Sequence, residues 1–207
     1  MIHIESMPRN RASLMEIRKE IVTASAQAET LDTQRKLLTQ YAQSLAKQMD
    51  QAQREVSAYE ARLEAWVGAF AESFDMGPYV VPVDFVTSTE NIGSTRITNL
   101  EEVIFPEELP DPYLTPYWVD GGIQAARRVR EAKERLVFLA RAHEAIEAER
   151  RRVTRLFNFM TKIYVPSLIE GARVIQIDLD DQSREAATFA MIAKRLQQKK
   201  KHAKVAS

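Results

Sequence analysis

The chain has 207 residues, of which 45% are hydrophobic, and its 29 basic residues balance 29 acidic ones. The zero net charge argues against a nucleic-acid-binding protein that is held mainly by phosphate contacts. The absence of cysteine excludes disulfide bonds, thiolate zinc sites and a cysteine nucleophile. The three histidines, His3, His143 and His202, are far apart in the sequence and do not indicate a metal site.

The sequence contains no stretch of about 20 apolar residues, so we expect no direct insertion into a membrane. The segment Met1–Glu5 lacks the basic and then apolar pattern of a secretory signal. These features predict a cytoplasmic protein.

From Leu14 onwards, apolar residues recur in alternating steps of three and four, and Pro8 suits a helix start just before them. Sixteen of the eighteen positions to Ser73 are apolar or aromatic, and a step of about 3.5 residues is typical of a left-handed coiled coil. We predict an N-terminal tail over 1–8 and a helix over 9–75, roughly 100 Å long. The positions of this first seam are Leu14, Ile17, Ile21, Ala24, Ala28, Leu31, Arg35, Leu38, Ala42, Leu45, Met49, Ala52, Val56, Tyr59, Leu63, Trp66, Phe70 and Ser73.

A second seam predicts a C-terminal helix over 118–198, followed by a basic tail over 199–207. Its spacing takes consecutive steps of four residues next to Pro166. Proline removes a helical hydrogen bond and clashes with the preceding turn, so we expect a kink near 162–166, or a break into two helices. The positions of this second seam are Ala125, Val129, Ala132, Leu136, Leu139, His143, Ile146, Arg150, Val153, Phe157, Met160, Tyr164, Leu168, Ala172, Ile175, Leu179, Gln182, Ala186, Phe189, Ala193 and Leu196.

The insert between the helices, 76–117, contains six of the eight prolines. Its β-branched and aromatic opening, Gly77–Val86, and the stretch Ser94–Leu100 after Gly93 predict a small β-hairpin, with Pro82 at an edge. A proline-rich connector, Pro106–Pro116, follows. The predicted fold is mainly α: a long antiparallel two-helix coiled coil of N- and C-terminal helices with a small β-hairpin insert.

No motif in the sequence indicates catalysis. Phosphate-binding glycine loops, the Gly-x-Ser-x-Gly motif and the His-Glu-x-x-His motif are all missing. The acidic pairs Glu101–Glu102, Glu107–Glu108 and Asp180–Asp181 are typical of solvated loops and helix faces. We predict no catalytic, cofactor-binding or metal-ligating residue and no cofactor.

Two sets of charged residues have alternative interpretations. Arg35, His143 and Arg150 interrupt the seams; each either extends its charge past the seam or pairs with a glutamate of the facing helix, or they fix the register between the helices. The basic clusters are either solvated or contact an acidic protein surface. A nucleic-acid partner is disfavoured because the basic tail has no aromatic residue on which bases could stack. These clusters are Arg150–Arg152 with Arg155, Lys194–Arg195, and Lys199–Lys201.

Several segments follow one family pattern in order along the chain. Met7–Ile17 combines a proline and basic residues with Leu-x-x-Leu-like spacing, and Leu31–Leu38 is similar to Leu-Lys-x-Lys-Arg-x-x-Leu, with Asp32 and Gln34 in place of two lysines. Arg155–Glu170 is similar to Arg-Arg-Val-Asn-Ala-Leu-Glu…Ile-Pro-x-Leu-x-Glu. In this order, the segments resemble the D subunit of the V-type (archaeal and bacterial A/V-type) rotary ATPases.

The resemblance covers nearly the whole chain, and its most specific part is the second helix. Leu156 and Thr161 depart there from the usual arginine and glutamate. Glu90–Gly93, Pro116–Asp120 and Met191–Lys200 resemble bacterial members. The residues that match the family pattern in the second helix are Asn158, Pro166, Leu168 and Glu170.

The resemblance implies a non-catalytic central rotor shaft. Its paired helices would enter the ring of A and B catalytic subunits, the F subunit would bind beside it, and a C-type funnel subunit would couple it to the membrane rotor. The protein would be peripheral on the cytoplasmic face of the membrane and couple ATP turnover to H⁺ or Na⁺ transport. The alternatives are a coiled-coil adaptor or homodimeric scaffold, and the gamma shaft of F-type ATPases, which carries a much larger domain between its helices.

Overall fold

The computed structural model describes residues 8–64, 74–111 and 113–205, without the side chains of residues 197 and 199–205. The described residues form two compact units: one combines those up to residue 32 with those from residue 155 onwards, and the other comprises those between residues 33 and 154. We call them the terminal unit and the middle unit. The elements are α1 (Arg11–Glu64), α2 (Gly77–Val80), β1 (Asp84–Ile92), β2 (Thr95–Ile104), α3 (Val119–Phe159), a π-helix (Met160–Tyr164) and α4 (Val165–Val205).

Helix α1 begins at an asparagine cap. The backbone N–H of Ser13 donates to Oδ1 of Asn10 at 2.8 Å, which satisfies a donor that the first helical turn leaves free. The predicted continuation of this helix over 65–73 lies outside the described residues, and residues 74–76 are not helical.

The terminal unit contains an antiparallel helix pair. Arg9 contacts Asp178 at 2.5 Å, and the hydroxyl of Tyr164 donates to Glu20 at 2.7 Å. From Arg9 to Glu20 the residue number rises while that of the partner falls, so the two segments run antiparallel. Fully burying one large aliphatic side chain contributes about 1.5–3 kcal/mol. The buried core residues of this unit are Leu14, Ile17, Ala24, Ala28, Met160, Tyr164, Leu168 and Ile175.

The irregular seam spacing in the second helix corresponds to a π-helix, and the alternative of a break into two helices is wrong. The N–H of Val165 donates to the carbonyl of Met160, five residues earlier, and α4 continues directly through Pro166. A π-turn accommodates one extra residue. Met160, Tyr164 and Leu168 therefore all lie on the buried side, although four residues separate each pair.

In the middle unit, α1 and α3 also pair in antiparallel order. Lys133 contacts Glu60 at 2.7 Å, and the segment 39–46 lines a groove with residues 143–150. Across both units, none of the fifteen first-seam positions from Leu14 to Leu63 is exposed. The predicted antiparallel seam is thus found within each unit.

The insert contains the predicted β-hairpin. Strands β1 and β2 pair from Asp84↔Ile104 to Ile92↔Thr95, and Glu101 is an extra residue at a register shift. Gly93 has φ 61° at the first position of the two-residue turn, where a side chain would be strained.

The predicted strand opening at Gly77 is wrong. Gly77–Val80 forms one helical turn with a proline at its start, where the missing N–H does no harm. Pro82 has no N–H to donate to a strand partner, and β1 begins only at Asp84.

The base of the insert is held by a half-buried arginine of α3. Nε of Arg127 donates to the carbonyl of Tyr79 at 2.9 Å, and Nη2 donates to that of Pro106 at 2.8 Å. The guanidinium also lies 5.3 Å from the ring centre of Phe105. Hydrogen bonds to a charged group contribute about 1.5–3 kcal/mol, so Arg127 joins both ends of the hairpin to the helix.

The π-helical register gives a first prediction. Leu168 is fully buried, whereas its neighbour Ile169 is 53% exposed. We expect Leu168→Ala to lower the free energy of unfolding by about 2–5 kcal/mol through the cavity it creates. The matched control, Ile169→Ala, should change it by less than about 1 kcal/mol. Urea unfolding followed by circular dichroism measures both, and equal effects would contradict the observed register.

Arg127 gives a second prediction. Arg127→Met keeps a long aliphatic side chain but removes the donors to Tyr79 and Pro106, so we expect the free energy of unfolding to fall by about 2 kcal/mol. Arg128→Met, which changes the neighbouring exposed arginine, is the control and should have little effect. Thermal and urea unfolding test the pair; an Arg127→Met protein as stable as wild type would rule out this role for the arginine.

Candidate interaction surfaces

The end of the second seam is not covered by any described residue of the chain. All residues from 181 to 196 are exposed, including Phe189 at 70% and Leu196 at 56%. The sequence predicts a seam that continues to Leu196. In the structure, α1 begins at Arg11, and Arg9, which lies just before it, contacts Asp178. The described part of the partner segment therefore ends close to Asp178. We call the exposed side chains Phe189, Ile192 and Leu196, which share one side of the helix, the C-terminal apolar stripe.

The stripe is accompanied by positive charge. Arg184, Lys194 and Arg195 are exposed on the same helix. The side chains of the predicted cluster Lys199–Lys201 lie outside the described residues. An apolar helix face with basic neighbours fits a protein groove that offers apolar pockets and carboxylates.

The three polar seam residues are half-buried. Arg150 pairs with Glu147 of its own helix, Nε to Oε1 at 2.9 Å and Nη2 to Oε2 at 2.7 Å. For this arginine, the alternative of pairing with a glutamate of the facing helix is therefore wrong. The hydrogen bonds from Arg150 lower the pKa of Glu147. His143 lines a groove beside Ala42 and Ala46. Pairing three residues apart on one helix is local, so it restrains the arginine without fixing the register.

Part of the arginine run supports the hairpin. Arg152 donates to both carboxylate oxygens of Glu149, at 2.8 and 2.9 Å, and Glu149 also accepts from the hydroxyl of Ser94 in the hairpin turn. These bonds, from Arg152 first and Ser94 second, lower the pKa of Glu149. Arg151 and Arg155 are exposed. Arg152 is thus exposed to solvent and also holds Glu149, the residue that accepts a hydrogen bond from the hairpin turn.

A second contact joins the hairpin to α1. The hydroxyl of Tyr41 donates to Glu90 at 3.1 Å. Burial, together with the Glu90 carboxylate, raises the pKa of Tyr41. Phe85 also packs on Phe138 of α3, with ring centres 5.9 Å apart. The hairpin is thus attached to both helices of the middle unit, and neither attachment is marked by a local sequence pattern.

A cleft of the middle unit lies between the hairpin and the helices. It measures about 400 Å³ and is lined by side chains such as Tyr41, Gln48, Asn99 and Arg135. A pair of facing carboxylates, which acid–base hydrolysis uses, is absent from its described lining.

The acidic pairs noted in the sequence remain at the surface. Glu101 accepts from Ser88, and Glu102, Glu107 and Glu108 are exposed. Asp180 accepts from Gln176 and Asp181 contacts Arg184, each on the same helix. Within residues 8–64, 74–111 and 113–205, no group of three or more potential metal ligands occurs. The described helices also include none that is both long and apolar enough to cross a membrane.

Comparison with known proteins gives one family. A family model described as the D subunit of ATP synthase matches residues 13–195. The chain is 26% identical over 129 residues to a V-type ATP synthase D subunit of Borreliella burgdorferi, which covers 62% of this chain and 64% of that protein. It is 28% identical over 143 residues to a V-type ATP synthase D subunit of Chlamydia muridarum, covering 64% and 69%. The matched part spans slightly less than two thirds of the first relative's length.

The contact between Glu149 and Ser94 gives a pH prediction. Because the pKa of Glu149 is lowered in the folded protein, its stabilising effect is complete above the ordinary glutamate pKa and is lost as pH falls through the lower folded value. We expect Glu149→Gln to lower the free energy of unfolding by about 1 kcal/mol at pH 7. The difference from wild type should shrink at pH 3.

The control is Glu144→Gln, which changes an exposed glutamate of the same helix. It should lower stability little at either pH. Urea unfolding of all three proteins at pH 7 and pH 3 provides the measurement. A difference between Glu149→Gln and wild type that stays constant with pH would contradict the charged contact.

Proposed function

We propose, since the chain belongs to the D-subunit family of ATP synthases, that it is the central rotor shaft of a V-type rotary ATPase or ATP synthase. In this role it couples ATP synthesis or hydrolysis in the ring of A and B subunits to transport of H⁺ or Na⁺ across the membrane. The observation that carries the proposal is an antiparallel helix pair in which α4 extends beyond the described residues of its partner segment and exposes the C-terminal apolar stripe.

The paired helices suit a part that transmits torque. A rotating element must resist sliding of one helix past the other, and the buried seams provide this resistance because sliding would expose apolar side chains. Contacts between Arg9 and Asp178 and between Lys133 and Glu60 add polar connections within the two units. The proposal therefore needs no rearrangement of the observed helix pairs.

The C-terminal apolar stripe is the part proposed to contact the catalytic ring. Phe189 and Leu196 have large exposed surfaces, and a few large side chains provide most of the energy of many protein contacts. Each of the three catalytic sites in the ring would face a different side of an asymmetric shaft. The three sites would therefore be held in different states. The shaft itself would be non-catalytic and bind no cofactor.

The remaining partners follow from the same assignment. We propose that the F subunit binds beside the helices and that a C-type funnel subunit links the shaft to the membrane rotor. The protein would be peripheral on the cytoplasmic face of the membrane, with no direct membrane insertion and no nucleic-acid partner. The competing assignment, a coiled-coil adaptor or homodimeric scaffold, would bury the same stripe against other proteins or a second copy.

Co-purification tests the proposal. We expect the full chain, expressed with the A, B and F subunits of the same organism, to elute with them at micromolar concentration. Phe189→Glu combined with Leu196→Glu should weaken binding to the A/B ring at least tenfold, about 1.4 kcal/mol, because two charges would enter an apolar contact. Rotation-coupled ATP hydrolysis by the assembled complex should fall in parallel.

The matched control places two glutamates on the opposite side of the same exposed helix, Ala187→Glu with Gln198→Glu. Helical spacing puts these positions roughly 160–180° from Phe189. This variant should bind within twofold of wild type. Elution of the wild-type chain apart from A, B and F would refute the rotor proposal, and a stable homodimer would favour the scaffold.

A further inference from the structure

Two irregularities lie close together in the second long helix of the terminal unit. The π-helix covers Met160–Tyr164, and Pro166 lies two residues beyond its end, inside α4. Sharp bends in helices occur mainly at prolines and at π-turns, because both interrupt the regular ladder of backbone hydrogen bonds. A bending or twisting load on this helix would therefore deform it first at this segment.

Two hydroxyl groups add local hydrogen bonds to the irregular backbone. Oγ1 of Thr161 donates to the carbonyl of Phe157 at 2.8 Å, and Oγ of Ser167 donates to the carbonyl of Tyr164 at 2.8 Å. Serine and threonine commonly bond to nearby helix carbonyls in this way. Both bonds stay within one helix, so they do not connect the π-turn to α1.

Tyr164 packs against the π-turn from the buried side. Its ring stacks on that of Phe159, with the ring centres 6.0 Å apart and an angle of 18° between the planes. In a regular α-helix, side chains five residues apart point about 140° apart around the axis, so this stack fits a π-turn and not an α-helix. Tyr164 also belongs to the buried core of the unit. The stack thus supports the irregular turn.

The same tyrosine connects the π-turn to the other helix. Its hydroxyl donates to Oε1 of Glu20, a half-buried residue of α1, at 2.7 Å. Hydrogen bonds to an ionised carboxylate are shorter and stronger than those between neutral groups. Apolar burial holds the helices together but has no preferred direction, whereas this bond requires a fixed orientation of Tyr164 toward Glu20. The bond therefore opposes rotation of one helix against the other.

We propose that Tyr164 is a positioning residue for torque transmission: it holds the π-turn against α1 and passes rotation of α4 to α1 through its bond with Glu20. The torque role rests on the proposed function, in which the exposed end of α4 receives force from the catalytic ring. Without this contact, the π-turn would absorb part of a twist applied to α4. With it, the two helices of the terminal unit turn together.

The first experiment tests the contact in the isolated full chain. Amide hydrogen exchange, measured by mass spectrometry on peptides that contain Val165, reports opening of the π-turn because that N–H is bound to the carbonyl of Met160. Tyr164→Phe keeps the ring stack but removes the hydroxyl, and we expect exchange to become at least about fivefold faster. Glu20→Ala should have the same effect. Glu20→Gln keeps an acceptor oxygen and should stay within about twofold of wild type.

Tyr41→Phe is the matched control, since it removes a hydroxyl that also donates to a glutamate, Glu90 of the middle unit. It should leave exchange around Val165 unchanged. The double variant of Tyr164→Phe with Glu20→Ala should exchange no faster than either single variant, because all three lack the same bond. If Tyr164→Phe, shown to be folded by circular dichroism, exchanges as wild type does, the contact is wrong. If the tyrosine variant does not fold, Glu20→Ala decides the same question.

The second experiment tests torque in the complex assembled with its partner subunits and reconstituted in membrane vesicles. It measures the ions transported per ATP hydrolysed against an opposing ion gradient. We expect Tyr164→Phe to lower this ratio at least about twofold, while the rate of ATP hydrolysis changes less, because α4 would turn without carrying α1 fully with it. A variant that merely assembles poorly would lower both rates in proportion and leave the ratio unchanged.

Ile17→Val is the control for lost stability, because it removes one methyl group from a fully buried seam residue and leaves the Tyr164–Glu20 contact intact. Its ratio of ions to ATP should equal that of wild type. An unchanged ratio in Tyr164→Phe, together with faster exchange, overturns the torque role and leaves the contact. A wild-type chain that does not bind the A, B and F subunits overturns the proposed function and the torque role together, whereas the exchange experiment still decides the contact.

Discussion

Burial of an apolar seam between antiparallel helices is the interaction on which the rest of the structure depends. Small residues such as Ala24, Ala42 and Ala52 let the helices approach, and Ile17 and Leu168 fill the space between them. Tertiary packing of an apolar face provides most of the stability of helices in proteins, so neither long helix would be stable without this contact. In the middle unit, the paired helices position the residues to which the hairpin is attached. In the terminal unit, the helix pair determines where the exposed end of α4 begins.

The helices and the hairpin turn are predictable because their signals are local. Seam positions repeat within one or two turns, so burial of Leu38, Leu45 and Val56 follows directly from the sequence. Gly93 marks the turn because its positive φ is open to few other residues. The steps of four around Tyr164 indicate an irregularity, although they do not distinguish a π-turn from a broken helix.

The attachments of the insert are not predictable, because their partners are far apart in the chain. Ser94 with Glu149, and Tyr41 with Glu90, are ordinary polar residues until the hairpin folds back on the helices. Arg127 carries no motif, yet it binds two backbone carbonyls on opposite sides of the hairpin, one in α2 and one after β2. The point near Asp178 at which the described residues cease to cover α4 likewise depends on where α1 begins.

The π-turn at Met160–Tyr164 sets the direction, around the helix axis, in which the later side chains of the terminal unit face. An uninterrupted α-helix would rotate Leu168 and everything beyond it by about 100°, the angle contributed by one residue. The turn absorbs that angle, so α4 keeps its seam aligned with α1. The direction in which Phe189 and Leu196 face is therefore set by five residues that lie more than twenty positions earlier. Insertion or deletion of one residue there would turn both side chains about the helix axis by the same angle.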